Sequence, residues 1–301
     1  MDANKTSETS RKKIKIKKTV YLIGFLFGLF VLFYPTISNY WNNYRQKVLN
    51  SNYEDQVSEM EKNGDIDYEA EWAKAETYNK ALQPIKLPDS FAEAENSESE
   101  DQSYMDCLNL TGDGMMGTVE IPCIDIKLPI MHTTDAEVLT NAAGHLEGSS
   151  LPIGGESTHS VIAAHRGLAT AALFTDLDKV KVGDHFYLHI LNKTLAYEVE
   201  EINVVEPDDT DKLNVQEGRD LCTLLTCTPY GVNTQRLLVT GHRVDYDEDT
   251  AKAEQVNPLL GVSSHTSYLL WSLGGLIVTL LFISWLYSRS RKKSGHKKKD
   301  E

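Results

Sequence analysis

The sequence predicts a domain dominated by β-strands, either a barrel or a sandwich, between two membrane-spanning helices. Short apolar strand patterns separated by turn residues fill residues 115–246, and such punctuation is typical of barrels and sandwiches. Two long uncharged apolar runs lie outside that region, one near each end of the 301-residue chain. A basic segment adjoins each run on the side of the nearer terminus.

The two apolar runs have the length of membrane spans. Residues 19–37 hold 19 positions without a charge, and residues 266–288 hold 23. Because about 20 apolar residues in a helix cross a bilayer core, each run predicts a transmembrane helix. The alternatives are a cleaved signal peptide for the first run and a buried core helix for the second. Tyr34-Pro35-Thr36 is not a small-residue cleavage site, and the basic flank of the second run favours a span.

The charge distribution predicts the orientation of these spans. The formal net charge is -14, yet residues 1–18 and residues 289–301 each carry +5, which leaves -24 on the chain between them. Loops rich in Lys and Arg stay on the cytoplasmic side. We therefore expect a two-pass protein of the cell membrane with both termini in the cytoplasm and residues 38–265 outside. An acidic body also argues against a nucleic-acid partner.

The segment between the first span and the strands is predicted to be helical and then acidic. Apolar positions with helical spacing, broken at Asn63-Gly64, predict one or two juxtamembrane helices before Pro84. Residues 89–106 then hold seven acidic side chains and no basic one. Such a stretch is either a solvated linker or a functional lid.

The strand region contains seven predicted strands and two short predicted helices. The helices are expected at residues 135–143 and 170–178. The strands are expected at residues 117–122, 124–131, 160–164, 184–191, 194–205, 220–228 and 235–246. No metal and no cofactor are predicted, because the cysteines and histidines lack metal-ligand spacing and no Gly-rich phosphate loop occurs. A disulfide between Cys107 and Cys123 is left open.

Three residues at predicted strand ends have side chains suited to acyl transfer. Cys227 lies near the end of an apolar strand, where a thiol is accessible. Arg236 begins the next strand, so a hairpin would return its guanidinium beside the sulfur, where it would lower the thiol pKa and hold an oxyanion. His165 follows another strand and suits proton transfer. Taken singly, the alternatives are a buried structural cysteine, a surface arginine and a structural histidine.

The motifs around these three residues resemble those of sortases. Residues 223–227 (TLLTC) match the TLxTC signature, with residues 163–167 (AAHRG) upstream and residues 236–243 (RLLVTGHR) downstream, in the family's order of His, Cys and Arg. Further stretches and the two apolar runs resemble the class C, pilin-polymerising branch. These stretches are residues 144–155, 173–177 and 226–230.

The resemblance implies a closed eight-stranded β-barrel and a Cys-His-Arg transpeptidase without a cofactor. Cys227 would attack the Thr carbonyl of an LPxTG-type sorting signal, cleave between Thr and Gly, and form a thioester. Arg236 would stabilise the oxyanion, and His165 would act as general acid and base. A pilin Lys amine would resolve the thioester and polymerise pilus subunits, with Thr226 shaping the substrate groove.

One expected motif is altered. Class C members carry a lid with an Asp-Pro-aromatic tripeptide, which this chain lacks; residues 87–91 (LPDSF) are the nearest candidate. Asp89 would pair with Arg236 and Phe91 would cover Cys227, the alternative being a plain acidic linker.

The predicted organisation follows from these elements for a Gram-positive membrane enzyme. Its parts are a cytoplasmic basic tail (1–18), a transmembrane helix (19–37), a juxtamembrane helical segment with an acidic lid or linker (38–114), the catalytic barrel (115–246), a linker (247–265), a transmembrane helix (266–288) and a second basic tail (289–301). Two alternative functions remain: a sortase that anchors surface proteins to a cell-wall amine, and a non-catalytic surface β-barrel that binds a partner.

Overall fold

The computed structural model describes residues 3–83, 86–91, 101–168, 171–249, 251 and 274–279. Helix α1 (Ala3–Asn63) contains Pro35. Two parts of it, Ile23–Val31 and Phe33–Asn63, meet at a bend of 46°. Pro35 explains the bend, because proline removes a helical hydrogen bond and clashes with the carbonyl four residues earlier.

The predicted transmembrane helices are not confirmed. Within the described part of the chain, no single helix is long and apolar enough to cross a membrane, although the two parts of α1 satisfy that test together. Most of the second predicted span, residues 266–273 and 280–288, lies outside the described residues.

Two further helices precede the strands. After a left-handed turn at Gly64, helix α2 (Tyr68–Ala81) begins at Asp67, whose side chain accepts a hydrogen bond from the backbone N–H of Ala70. Helix α3 (Gln102–Met105) is a single turn capped by Asp101. Side-chain capping of this kind satisfies amides that lack an intrahelical partner.

Eight strands form a closed barrel, as expected. They are β1 (Met115–Ile121), β2 (Ile126–His132), β3 (Ala143–His145), β4 (Thr158–Ala163), β5 (His185–Ile190), β6 (Lys193–Val205), β7 (Asp220–Thr228) and β8 (Gln235–Val244). Their order around the barrel is β1-β2-β3-β4-β7-β8-β6-β5, and β1 closes it against β5. The pairs β2–β3 and β4–β7 are parallel, and all other neighbours are antiparallel.

One local prediction holds only in part, and another is wrong. The helix expected over residues 135–143 is the shorter α4 (Ala136–Asn141), because Ala143 already pairs with β2 in the unpredicted strand β3. The helix expected over residues 170–178 is not helical at residues 171–176, and only a 3-10 turn follows at Leu177–Lys179. Phe174 and Leu177 of this segment are fully buried, so packing against the barrel decides its path.

The barrel interior is filled by apolar side chains from alternating strand positions. Phe186 and Tyr197 stack inside it with ring centroids 5.4 Å apart. Gly117 permits close strand contact at the β1 bulge, since a Cβ there would lie 2.2 Å from the carbonyl oxygen of His189. The interior is thus a packed core, and the chemistry lies at one end of the barrel.

Helices α2 and α3 dock on the surface of the barrel. Asn79 pairs with the backbone of Leu151, accepting from its N–H at 2.7 Å and donating to its carbonyl at 3.3 Å. The buried Tyr104 of α3 accepts a hydrogen bond from the N–H of Thr133 at 3.0 Å. These contacts hold α2 and α3 against the barrel. Residues 86–91, which follow α2, lie at one end of the barrel.

Candidate active site

Cys227 and Arg236 lie side by side on adjacent strands. In the antiparallel pair β7–β8, Cys227 is the direct partner of Arg236. Both residues are buried, with 5% and 7% of their surface exposed. Directly opposite residues in such a pair share one face of the sheet. The hairpin therefore brings the guanidinium beside the sulfur.

His165 reaches the same end of the barrel through the parallel pair β4–β7. Regular pairing of these strands ends at Ala163 and Leu225. One residue further, the Ala164 N–H donates to the carbonyl of Leu225 at 3.1 Å. Since parallel strands run in the same direction, the residues that follow Ala164 and Leu225 emerge together. Continued by one residue, the register Ala163–Leu225 sets Ala164 beside Thr226, and by two residues it sets His165 beside Cys227.

Thr226 makes a strand-to-strand hydrogen bond. Its hydroxyl donates to the carbonyl of Ala164 at 2.7 Å, and its side chain is fully buried. This bond reinforces the backbone directly before His165. Its predicted contribution to the substrate groove stays a prediction.

Residues 86–91, which we term the covering segment, lie against Arg236. The Asp89 carboxylate accepts two hydrogen bonds from this guanidinium, from Nε at 2.7 Å and from Nη2 at 2.6 Å. The two side chains are only 15% and 9% exposed. Bidentate carboxylate–guanidinium pairs are among the stronger hydrogen-bonded contacts. The remaining donor, Nη1, is bound to the carbonyls of Asn233 and Gln235.

Phe91 adds a second contact with the site. Its ring centroid lies 5.3 Å from that of His165. The Arg236 Cζ atom lies 5.3 Å from the same ring centroid. Phe91 thus contacts two of the three predicted catalytic residues, and Asp89 contacts one of them.

An apolar cluster lies beneath the covering segment. Leu87 is buried there with Leu225 and Leu238, and Phe91 packs against the same cluster. Beside it is a cleft of about 340 Å³, lined by Lys86, Leu87, Pro88, Asp89, Pro207 and Asp208. The covering segment therefore buries an apolar surface next to Cys227.

The electrostatic environment favours uncharged Cys227 and His165. Burial raises the pKa of the Cys227 thiol, the Arg236 charge opposes that rise, and the Asp89 charge adds to it. Burial lowers the pKa of His165. With the covering segment in place, the site holds a protonated thiol and a neutral imidazole.

The other cysteines and buried histidines have structural surroundings. None of the four cysteines, Cys107 and Cys123 included, forms a disulfide, and only Cys123 is exposed. His145 and His159 are fully buried with hydrogen-bonded rings. No group of three potential metal ligands occurs among the described residues.

Arg166 is the residue near the site whose contacts the sequence analysis did not foresee. It follows His165, is buried, and donates to Thr228, the residue after Cys227, at 3.1 Å. Its position in the AAHRG motif marks Arg166 as a residue of interest, but the sequence does not show that its partner would be Thr228 on β7.

Comparisons with known proteins agree with this geometry. Residues 119–244 match the family described as Sortase domain. Sortase C-1 from Actinomyces oris is 48% identical, with 59% of this chain and 97% of that chain covered and a TM-score of 0.57. Sortase C from Streptococcus pneumoniae is 44% identical, with 66% and 97% covered and a TM-score of 0.60. Sortase D from Bacillus subtilis is 28% identical over 172 residues, with 56% of this chain and 83% of that protein covered.

The residues that match the family, 119–244, include Cys227, His165 and Arg236. At 44% identity and above, two structures of sortase C are covered over nearly their whole length. The chain therefore belongs to the sortase family of cysteine transpeptidases.

Proposed function

We propose that this chain is a class C sortase that joins pilin subunits, with Cys227, His165 and Arg236 as its catalytic residues. The observation that supports the proposal is that Cys227 and Arg236 are direct partners on β7 and β8, while Phe91 of the covering segment contacts both Arg236 and His165. The similarity to sortases C supports the class, and one of them, from Group B Streptococcus, is described as pilus-related.

The first half-reaction forms a thioester. His165 first accepts the proton of the Cys227 thiol, and the resulting thiolate attacks the Thr carbonyl of an LPxTG-type signal, whose oxygen becomes a tetrahedral oxyanion. Arg236 donates hydrogen bonds to that oxyanion, which stabilises charge as it develops. When the C–N bond breaks, His165 gives a proton to the departing Gly amine, which leaves the acyl group on sulfur.

The second half-reaction transfers the acyl group. A pilin Lys amine attacks the thioester carbonyl, and His165 accepts the proton that the amine loses. Collapse of the second tetrahedral intermediate expels the Cys227 thiolate and leaves an isopeptide bond. The His165 imidazole donates a proton in the first half-reaction and accepts one in the second, so no external acid or base is required.

We further propose that the covering segment is a lid. Asp89 occupies Nε and Nη2 of Arg236, donors that an oxyanion would need. Leu87 and Pro88 share the first two residue types of LPxTG, and Leu87 already fills the apolar cluster beside Cys227. A sorting signal would compete with the segment for both surfaces. Catalysis then requires residues 86–91 to leave the site.

Two membrane anchors are part of the proposal. Residues 19–37 and 266–288 would span the membrane, with residues 1–18 and 289–301 in the cytoplasm and residues 38–265, including the barrel, on the outside of a Gram-positive cell. Labelling of single cysteines introduced into either tail of intact cells with a membrane-impermeant reagent tests this topology. Protection of both tails is expected, and labelling of either would contradict it.

The catalytic assignment is tested with the full chain in detergent micelles. We would incubate it with an LPxTG-type peptide and locate the acyl adduct by mass spectrometry of protease fragments. The adduct is expected on Cys227, and the Cys227→Ala variant should form none. Cys123→Ser, which removes the exposed cysteine, is the matched control and should acylate normally. An adduct elsewhere would refute the assignment.

The acceptor is tested in parallel reactions. One contains a pilin domain with an accessible lysine, and the other contains a cell-wall peptide bearing an amine. Faster loss of the thioester with the pilin domain is expected. Faster loss with the cell-wall amine would instead identify an anchoring sortase.

A further inference from the structure

Arg166 connects the segment that carries His165 with the strand that carries Cys227. Its Nη1 donates to the Thr228 hydroxyl at 3.1 Å, and its Nε donates to the Thr175 carbonyl at 3.1 Å. Its Nη2 forms an ion pair with Asp178. An arginine that is only 8% exposed thus makes three contacts, two with residues 175–178 and one with the end of β7.

The contacts of Arg166 lie where the backbone pairing between β4 and β7 has ended, next to His165 and Cys227. The last backbone hydrogen bond described between β4 and β7 joins Ala164 to Leu225. The backbones of His165 and Cys227 lie beyond it. The Thr226 hydroxyl bonds to the residue before His165. The Arg166 guanidinium bonds from the residue after His165 to the residue after Cys227. His165 is therefore held on both sides.

We propose that Arg166 is a positioning residue, which fixes His165 relative to Cys227 by joining the two chain segments beyond the last backbone hydrogen bond between β4 and β7. This inference rests on the proposed roles of those two residues. A guanidinium is suited to this task, because its planar donors bind several acceptors at fixed angles. Lysine offers a single flexible ammonium and cannot reproduce all three contacts.

Arg166 acts through geometry rather than through its charge. The charges that act on the Cys227 thiol are those of Arg236 and Asp89. The Arg166 charge is balanced by Asp178, and its guanidinium also lies 6.0 Å from the ring centroid of Tyr230.

The experiment measures kcat and KM for an LPxTG-type peptide with the full chain in detergent micelles. Thr228→Val removes one hydrogen bond and keeps Arg166, so it is the mildest perturbation. We expect kcat to fall about 10-fold with KM within about twofold, and Thr228→Ser, which restores the hydroxyl, to recover most of the loss. Arg166→Lys and Arg166→Gln should lose roughly 10²-fold in kcat, since misplacement by about 1 Å costs that much.

The control is a partly buried arginine elsewhere in the barrel. Arg219 binds Glu200 and Gln216 next to the start of β7, and Arg219→Gln should retain the parent kcat. Thermal unfolding of every variant reports the folded fraction, and rates are expressed per folded molecule.

The decisive comparison repeats Thr228→Val and Arg166→Gln in a His165→Ala background. If Arg166 acts through His165, neither substitution should lower the residual rate by more than about twofold, because the group that it positions is absent. An equal loss with and without His165 would overturn the inference, as would parent-like kcat values for Thr228→Val and Arg166→Lys. Full activity of His165→Ala alone would instead refute the proposed function.

Discussion

The ion pair between Asp89 and Arg236 provides the most direct test of the lid. Asp89→Asn keeps the side-chain shape and removes the negative charge. The parent pair has two charge-assisted hydrogen bonds between largely buried groups. A hydrogen bond to a charged group contributes about 1.5–3 kcal/mol. Arg236 keeps its bonds to two backbone carbonyls and regains water when the segment opens. We therefore count this free energy for one hydrogen bond only, as the stability that the closed state loses in Asp89→Asn.

The loss converts into an opening equilibrium. At about 1.4 kcal/mol per factor of ten, the open fraction should rise roughly 10- to 150-fold. The rate at which iodoacetamide alkylates Cys227 reports that fraction. A Cys123→Ser background removes the exposed thiol, whereas Cys107 and Cys222 are buried. Mass spectrometry assigns the modified cysteine, and Asp65→Asn, at an exposed position, serves as the matched control.

The pH dependence separates access from electrostatics. Asp89 also raises the pKa of Cys227, so its removal increases the thiolate fraction at pH values below that pKa. Above the thiol pKa the sulfur is ionised in both proteins, and only the difference in access remains. Equal alkylation rates of Asp89→Asn and the parent at every pH would refute the lid mechanism.

Three further predictions concern the same segment and the pH stability of the domain. Phe91→Ala removes the ring that contacts His165 and Arg236, a loss of about 2 kcal/mol to the closed state, so alkylation of Cys227 should rise about 30-fold; an unchanged rate would contradict this. Ser90 has a buried hydroxyl without a hydrogen-bond partner among the described residues, so Ser90→Ala should favour the closed state by about 1 kcal/mol and slow alkylation roughly fivefold; faster alkylation would be inconsistent with that burial. Burial lowers the pKa of His145 from 6.5 to about 4, so the folded state binds fewer protons than the unfolded state. The contribution of His145 to the free energy of unfolding is present above pH 6.5 and falls by about 3 kcal/mol as the pH drops to about 4. Urea unfolding should show a smaller fall for His145→Gln than for the parent. Equal falls would contradict the lowered pKa of His145.

The hairpin part of the site was predictable because it is local. Cys227 and Arg236 are nine positions apart, and two apolar strands joined by a Pro-containing loop return on each other. The register that pairs them follows from that short connection. The contacts of His165 and Arg166 depend instead on the parallel pair β4–β7, whose members are about 60 residues apart. No periodicity in the sequence identifies the partner of a distant strand.

The segments that were predicted wrongly are also those whose structure depends on contacts with distant parts of the chain. Strand β3 has three residues, too few for an alternating pattern, and is defined by its parallel partner β2. Residues 171–176 have helix-like apolar spacing, yet the N–H of Phe174 bonds to the carbonyl of His165 and Leu173 adopts φ 41°. Tertiary contacts therefore override local preference next to the site. The family motifs identified the closed barrel, which the residue pattern left open between a barrel and a sandwich.

Closure of the barrel has a consequence for how the protein meets other extended chains. Each of its eight strands has a neighbour on both sides, so none of the described strands is a free edge along its whole length. Edge strands are the usual route by which β-proteins join one another or aggregate. An extended peptide therefore has little opportunity to join this sheet as a further strand, and side chains and loops would have to bind it instead.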